Sequence, residues 1–266
     1  MSDFLQTMAK SSAERAAQIS PVFTSGDFDK PVVPLSLGAF DVIAEIKERS
    51  PAEGDLSGSG ATRNTRARSY AAGGAAAISV LTEPGRFDGD LAHLQEVVAA
   101  VPNTPVMRKD FLVEPIQILE ARKAGASGVL LITTLLSDSI LSEMLKRAWE
   151  HDMFVLLEAF DEDDLRRTSL LLENSANTEK AAAGQLLVGV NTRNLRTLEV
   201  DAQRLRRLSP LLPAARCVAE SGLAVASDAA RVAAWGYSLA LVGTALMRSD
   251  DPAALVNAMR MAGARA

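Results

Sequence analysis

A single cysteine, Cys217, stands in a chain of 266 residues. That excludes an internal disulfide and a thiolate metal cluster. Histidine is almost as scarce, with only His93 and His151. Both fall in segments with helical patterning, away from strand ends. Imidazole acid–base chemistry and a histidine-ligated metal are therefore not expected. No apolar run approaches the ~18 residues of a membrane helix. The N-terminal MSDFLQTMAK lacks the charged-then-apolar order of a secretory signal. The reading is a soluble cytoplasmic protein without a membrane partner. Positive charge is not in excess either. The net charge of -5 speaks against a general affinity for nucleic acid. Lysine and carboxylate are left to do any chemistry.

Apolar residues make up 48% of the chain, ample for a large core, and they recur with a regular beat. Strand-like runs are DVIAEIK (41–47), AAAISVLT (75–82), PVMRKD (105–110), GVLLIT (128–133), FVLLEA (154–159), LLVGVNT (186–192), RCVAES (216–221) and LALVGTAL (239–246). Their near-continuous apolar character suits parallel strands covered on both faces. Helical patterns lie between them, as in 91–101, 115–125, 137–152 and 227–236, and Asp251-Pro252 opens a last one. Such alternation predicts an α/β chain, a (β/α)8 TIM barrel over 41–266, with residues 1–40 as an N-terminal extension packing on it. A doubly wound open sheet would carry a glycine-rich first turn leading directly into a helix. ERSPAEGDLSGSG (48–60) has the glycines without the helix.

Against that pattern PVMRKDFL (105–112) places three charges where a buried strand should finish. In a (β/α)8 barrel the C-terminal strand ends converge on one face, which carries the active site. Polar groups gather at the same end of other strands: Glu45 and Lys47, Glu158, Asn191 and Arg193, Glu220 and Ser221. Alternation places Glu45 and Lys47 on one face of their strand. Any one of these alone would pass for a surface charge, but five strands repeating the feature point to a site. AESGLA (219–224) and LVGTALMR (241–248) add glycine turns after the seventh and eighth strands. Barrels commonly bind phosphate there through backbone N–H groups.

The same residues carry a resemblance. IAEIKERSP (43–51) is similar to the E-x-K-x-x-S-P signature of the indole-3-glycerol phosphate synthase family. ISVLTEPGRFDGDL, MRKDF, LLEAF, GVNTRNLRTLEVD, VAESGL and LVGTALMR follow in that family's order, from about residue 41 to 263. The resemblance implies ring closure of 1-(2-carboxyphenylamino)-1-deoxyribulose 5-phosphate, with loss of CO2 and water, in tryptophan biosynthesis. It implies no cofactor, no metal, a small phosphorylated substrate and a monomer. Lys109 would be the general acid on the ribulose carbonyl and Glu158 the acid–base partner in dehydration. Lys47 would contact substrate anions and assist proton transfer, with Glu45 and Asn191 orienting those groups. Glu220 would line the anthranilate side, and Phe111 would give the aromatic ring an apolar wall. Ser50, Arg193 and Ser221 would hold substrate, with Gly222, Gly243 and Thr244 at its phosphate. Cationic neighbours would lower the Lys109 pKa, while Glu45 and Glu158 would oppose them.

Several positions depart from the family pattern. The usual S-P-S-K-G is Ser50-Pro51-Ala52-Glu53-Gly54, the G-S after the second strand is Gly89-Asp90, E-V-H is Glu158-Ala159-Phe160, and N-N-R is Asn191-Thr192-Arg193. NSANTEKAAAGQ (174–185) lengthens one connection and reads as a surface excursion on the face opposite the site. Two other readings stay open. One is a Schiff-base aldolase or lyase of a ketose phosphate using Lys109 or Lys47. The other is a weakly active or non-catalytic phosphate-binding paralogue, which Glu53 and Asp90 would suit.

Overall fold

The computed structural model describes residues 3–50, 54–56, 61–193, 201 and 203–266. Eight parallel strands close into a barrel: β1 (Asp41–Ile46), β2 (Ala77–Leu81), β3 (Val106–Lys109), β4 (Gly128–Ile132), β5 (Phe154–Ala159), β6 (Leu186–Asn191), β7 (Arg216–Glu220) and β8 (Leu239–Val242). Each pairs with its neighbours in sequence, and β1 bonds both β2 and β8, which closes the ring. The strands begin and end within two residues of the sequence reading, except the last. There Gly243 ends the strand and Thr244–Arg248 forms a helical turn.

Two cores follow from the period of two along each strand. In β1, Val42, Ala44 and Ile46 face outward into the layer between sheet and helices, whereas Ile43 faces the barrel axis. In β6, Leu186, Val188 and Val190 face outward and Leu187 inward. Continuing the inward rows places Glu45, Lys109, Glu158, Asn191 and Glu220 over the apolar plug of the barrel. Arg108 therefore points the other way from Lys109. It is buried outside the sheet, donating to Glu120 at 2.6 Å and to Thr82 and Asp110 at 3.2 Å each.

Helices fill the outer layer where apolar spacing and caps coincide. Asp138–Glu150 begins at Ser137, which accepts from the Ile140 amide, and buries Leu141, Met144, Leu145 and Ala148 along one stripe. The sequence reading missed Arg63–Ala72 and Glu162–Leu171. The first is polar and buries only Arg66, Ala67 and Tyr70. The second is set by its Asp161 cap and an acidic first turn rather than by apolar periodicity. The 174–185 stretch is also more ordered than expected. Asn174 caps a helix over Ser175–Ala182, of which Ala181 alone is buried. Its far end leads to the Gln185 carbonyl, which accepts from the Val155 amide at the start of β5, opposite the polar strand ends. Among the described residues no helix is long and apolar enough to cross a membrane.

The chain before β1 spans both ends of the barrel. The helix Asp3–Ala16 buries Leu5 and Met8 against the inner cluster at its open end. Arg15 donates to both oxygens of Asp110 at 2.8 Å, and Ser12 accepts from Gln117 at 2.9 Å. Further on, Arg122 donates to the carbonyls of Phe28 and Lys30, and the Val33 amide donates to Ser127.

Breaking a buried ion pair typically costs about 3–5 kcal/mol. The Arg15 side chain is 25% exposed and Asp110 keeps Arg108 and Thr82, so a cost of about 2 kcal/mol is expected for Arg15→Met. Amide exchange over 5–16 should then quicken by about 30-fold while β3 stays protected. Unchanged exchange would mean that the apolar face alone holds the helix. Replacing 175–182 by a tight turn should leave kcat within about twofold and lower Tm by a few degrees, since about 1 kcal/mol shifts a chain of this size by ~2–4 °C. A large loss of kcat at unchanged Tm would contradict the placement.

Candidate active site

The inward polar residues meet in one charged network. Glu45 takes the Lys47 ammonium at 2.7 Å on one oxygen and the Lys109 ammonium at 2.9 Å on the other. Lys109 also lies 3.5 Å from Glu220. Glu158 and Glu220 are buried, and Glu158 Oε1 and Oε2 and Glu220 Oε1 have no hydrogen-bond partner of good geometry. Asn191 accepts at Oδ1 from Ser221 Oγ and from the Arg193 amide, both at 2.9 Å. Two donors on that oxygen turn the amide nitrogen toward Glu158.

Above the network lies a cavity of about 700 Å³, of a size for a drug-sized ligand. One side is apolar. Phe111 meets the Phe4 ring edge-on at 5.9 Å and Phe87 at 6.2 Å, with Leu130 and Ile132 beneath. The other side is formed by the turns after β7 and β8, with Gly222, Gly243 and Thr244 on the lining and Arg193 and Arg248 as cations. Ser221 and Gly222 are both left-handed, at φ 67° and 75°. For the serine this conformation costs of order 1 kcal/mol or more, and such strain gathers at functional turns. A side chain on Gly243 would overlap the Glu45 carboxylate and come within 2.9 Å of Lys47 Nζ. That glycine leaves room for the Glu45–Lys47 pair as well as opening the turn.

Charge sharing sets the protonation states. Burial opposes ionisation of Glu45, but Lys109 and Lys47 outweigh it and bring the carboxyl down to about 2. Burial likewise lowers Lys109, yet Glu45, Glu220 and Glu158 overcome it and hold the ammonium above its ordinary range. The lowered lysine pKa expected from neighbouring cations is thus reversed, because the groups nearest Nζ are carboxylates. Glu158 is raised by burial, against the pull of Lys109. Glu220 is raised well above the usual range by burial and then by Glu158. Two buried carboxyls side by side do not both ionise readily, so the pair retains a proton. With that proton in place, two ammoniums face two carboxylates and the network is neutral.

Of the residues singled out from sequence, Glu45, Lys47, Ser50, Lys109, Phe111, Glu158, Asn191, Arg193, Ser221, Gly222, Gly243 and Thr244 all line this cavity. Glu220 lies beneath its floor, on Lys109, instead of along the wall. Sequence reasoning missed Phe4, Phe87 and Arg248. Phe4 comes from the N-terminal helix, whose docking no local pattern reveals, whereas Arg248 ends a motif already noted. His93 and His151 are absent from the lining. Cys217 packs in the outer core, where burial pushes its thiol up to about 12.

The departures fall mostly away from the network. Asp90 caps the helix Leu91–Ala100 by accepting from the Ala92 amide at 2.7 Å, a task for which Asp and Ser are near equivalents. It therefore gives no support to a non-catalytic reading. Ala159 faces the outer core, Phe160 is fully buried, and Thr192 lies off the main cavity. Ala52 and Glu53 lie outside the described residues. Arg49 stands 3.8 Å from Asp88.

The fold and this network define a (β/α)8 enzyme with an apolar wall and a glycine-lined anion end. Residues 35–259 match the family model described as indole-3-glycerol phosphate synthase. Relatives of that name include one from a Nocardioides species, 45% identical over 88% of this chain and 86% of its own length. Another, indole-3-glycerol phosphate synthase 1 of Streptomyces coelicolor, is 39% identical over 94% of this chain and 86% of its own. The chain belongs to the indole-3-glycerol phosphate synthase family, a family of decarboxylating lyases. Among solved structures, 3-hexulose-6-phosphate synthase from Salmonella typhimurium aligns at TM-score 0.62 and 15% identity, covering 85% of this chain and 99% of that one. That likeness concerns the barrel alone.

The carboxyl pair gives a pH signature. Glu220 has a folded-state pKa well above its ordinary 4.5. From pH 4.5 up to the raised value the native state binds more protons than the unfolded one, so stability falls as pH rises through that window. Glu220→Gln removes this titration. The Tm of the variant minus that of the parent should become more positive between pH 5 and about pH 8. A flat difference would show that Glu220 is ionised throughout.

Proposed function

We propose that this chain is an indole-3-glycerol phosphate synthase acting on 1-(2-carboxyphenylamino)-1-deoxyribulose 5-phosphate, with Lys109 as the acid of the ring-closing step. The observation that carries this reading is the half-buried Lys109 ammonium, 2.9 Å from Glu45, between an apolar wall and a glycine-lined end. The anthranilate ring fits against Phe111, Phe87 and Phe4, and the phosphate against Gly222, Gly243 and Thr244. This bound pose leaves the ribulose carbonyl over the lysine.

The chemistry follows from the charges. An aromatic carbon attacks the ribulose carbonyl, and its oxygen develops alkoxide character. An alkoxide is more basic than an amine, so Lys109 can protonate it even with a raised pKa, and its charge stabilises the transition state before transfer. Decarboxylation restores the aromatic ring, so the bond-breaking electrons need no external sink. In the dehydration Glu158, oriented by Asn191, gives a proton to the departing hydroxyl, which leaves as water, and then takes the proton that the adjacent carbon releases. Lys47 neutralises a substrate anion and is held by Glu45.

A Schiff base requires a neutral amine nucleophile. The Glu45 carboxylate and the charge shared by Glu158 and Glu220 hold Lys109 protonated, which works against the aldolase reading. Incubation with the carboxyphenylamino ribulose phosphate, followed by indole fluorescence, tests the function. Steady growth of product with CO2 release is expected, and Lys109→Ala should lower kcat by about 10²–10⁴. No indole product, or a borohydride-trapped adduct on a lysine, would overturn the reading. A near-normal kcat with raised KM in the variant would reduce Lys109 to a binding residue.

A further inference from the structure

We propose that Gly189 is a positioning residue for this reaction, acting through Glu220; the kinetic part of the inference rests on the function proposed above. Gly189 sits within β6, paired with Glu158 on β5 and Val218 on β7. Its backbone does not require glycine, since it is absent from the residues with positive φ. A strand interior disfavours glycine, and one found there often marks a close approach by another group. The inward row Leu187, Gly189, Asn191 points at the barrel axis, and the group that approaches is Glu220. A Cβ on Gly189 would overlap Glu220 Oε1 and lie 3.1 Å from its Cδ and 3.2 Å from Leu156 Cδ1.

The missing side chain is thus the berth of the Glu220 carboxyl. Glu220 reaches across β6 from β7, and this path brings it against Glu158 and within 3.5 Å of Lys109. Its side chain is wholly buried, so no solvent-filled space is open to take the carboxyl if the berth is filled. Leu156 is a flexible end and can give way; a carboxyl wedged between Lys109 and Glu158 cannot move without changing their geometry. In this arrangement Glu220 lies off the cavity lining. It fixes the Lys109 ammonium from below, and Gly189 fixes Glu220.

A double-mutant cycle separates this from a purely structural role. Gly189→Ala is expected to lower kcat by about 10- to 100-fold, as a displacement near 1 Å can, with KM within about threefold. Glu220→Ala removes the group that clashes. Adding Gly189→Ala to that background should change kcat by less than about threefold. The melting temperatures should follow the same pattern, with a loss in the parent and little in the Glu220→Ala background. If Gly189→Ala does not fold, the double variant still should. Near-normal kcat in the single variant, equal fold-losses in both backgrounds, or failure of both Gly189→Ala proteins to fold would overturn the inference. A parent protein that makes no indole product would sink the proposed function instead, and the melting cycle would still decide the role of Gly189.

Discussion

Taking the Lys109 ammonium out of water costs several kcal/mol unless it is matched by charge. The barrel meets that cost with the Glu45 carboxylate at 2.9 Å and the one negative charge of the Glu158–Glu220 pair, whose nearer member stands at 3.5 Å, and much of the site follows from the match. Glu45 can serve two lysines because Gly243 leaves it room. Glu220 reaches Lys109 because Gly189 leaves it a path. Glu158, left beside a filled pair, holds a raised pKa and so stands nearer to neutral pH than an ordinary carboxyl, as an acid–base group requires. The network is built from inward positions on β1, β3, β5 and β7, with Asn191 of β6 beside it. No single loop could hold five ionisable groups at such distances, whereas eight rigid strands can.

The outward position on β3 is used differently. Arg108, one residue from Lys109, faces away from the cavity and joins Asp110, Thr82 and Glu120. Arg15 completes that cluster and so ties the helix Asp3–Ala16, with Phe4 on it, to the strand end that carries Lys109. The three charges of the MRKDF run therefore do two jobs on opposite sides of the sheet. One acts in the site, and two anchor a wall of it.

The barrel was legible because parallel strands buried on both faces leave an unmistakable apolar beat, and because polar residues recur at one end of it. The lining was legible for the same reason. Helix 63–72 was not, since its burial rests on three residues with no clear stripe, and helix 175–182 was not, since it buries one. The protonation of Lys109 was misjudged because sequence lists cations and anions alike but gives no distances. At Asp90 a departure from the family pattern suggested lost function, and its geometry is an ordinary N-cap. Gly189 escaped notice because a missing side chain has meaning only beside the group that fills its place.

The account rests on Lys109 being an ammonium held by carboxylates, and an NMR titration of lysine ε-carbons, with Lys109→Arg to assign the signal, measures that directly. Burial alone would carry the group below its ordinary 10.5, and the three glutamates carry it above. The Lys109 signal should remain that of a charged amine while exposed lysines titrate, and should move toward the ordinary value in Glu45→Gln. A Lys109 signal that titrates near neutral pH in the parent protein would contradict the account.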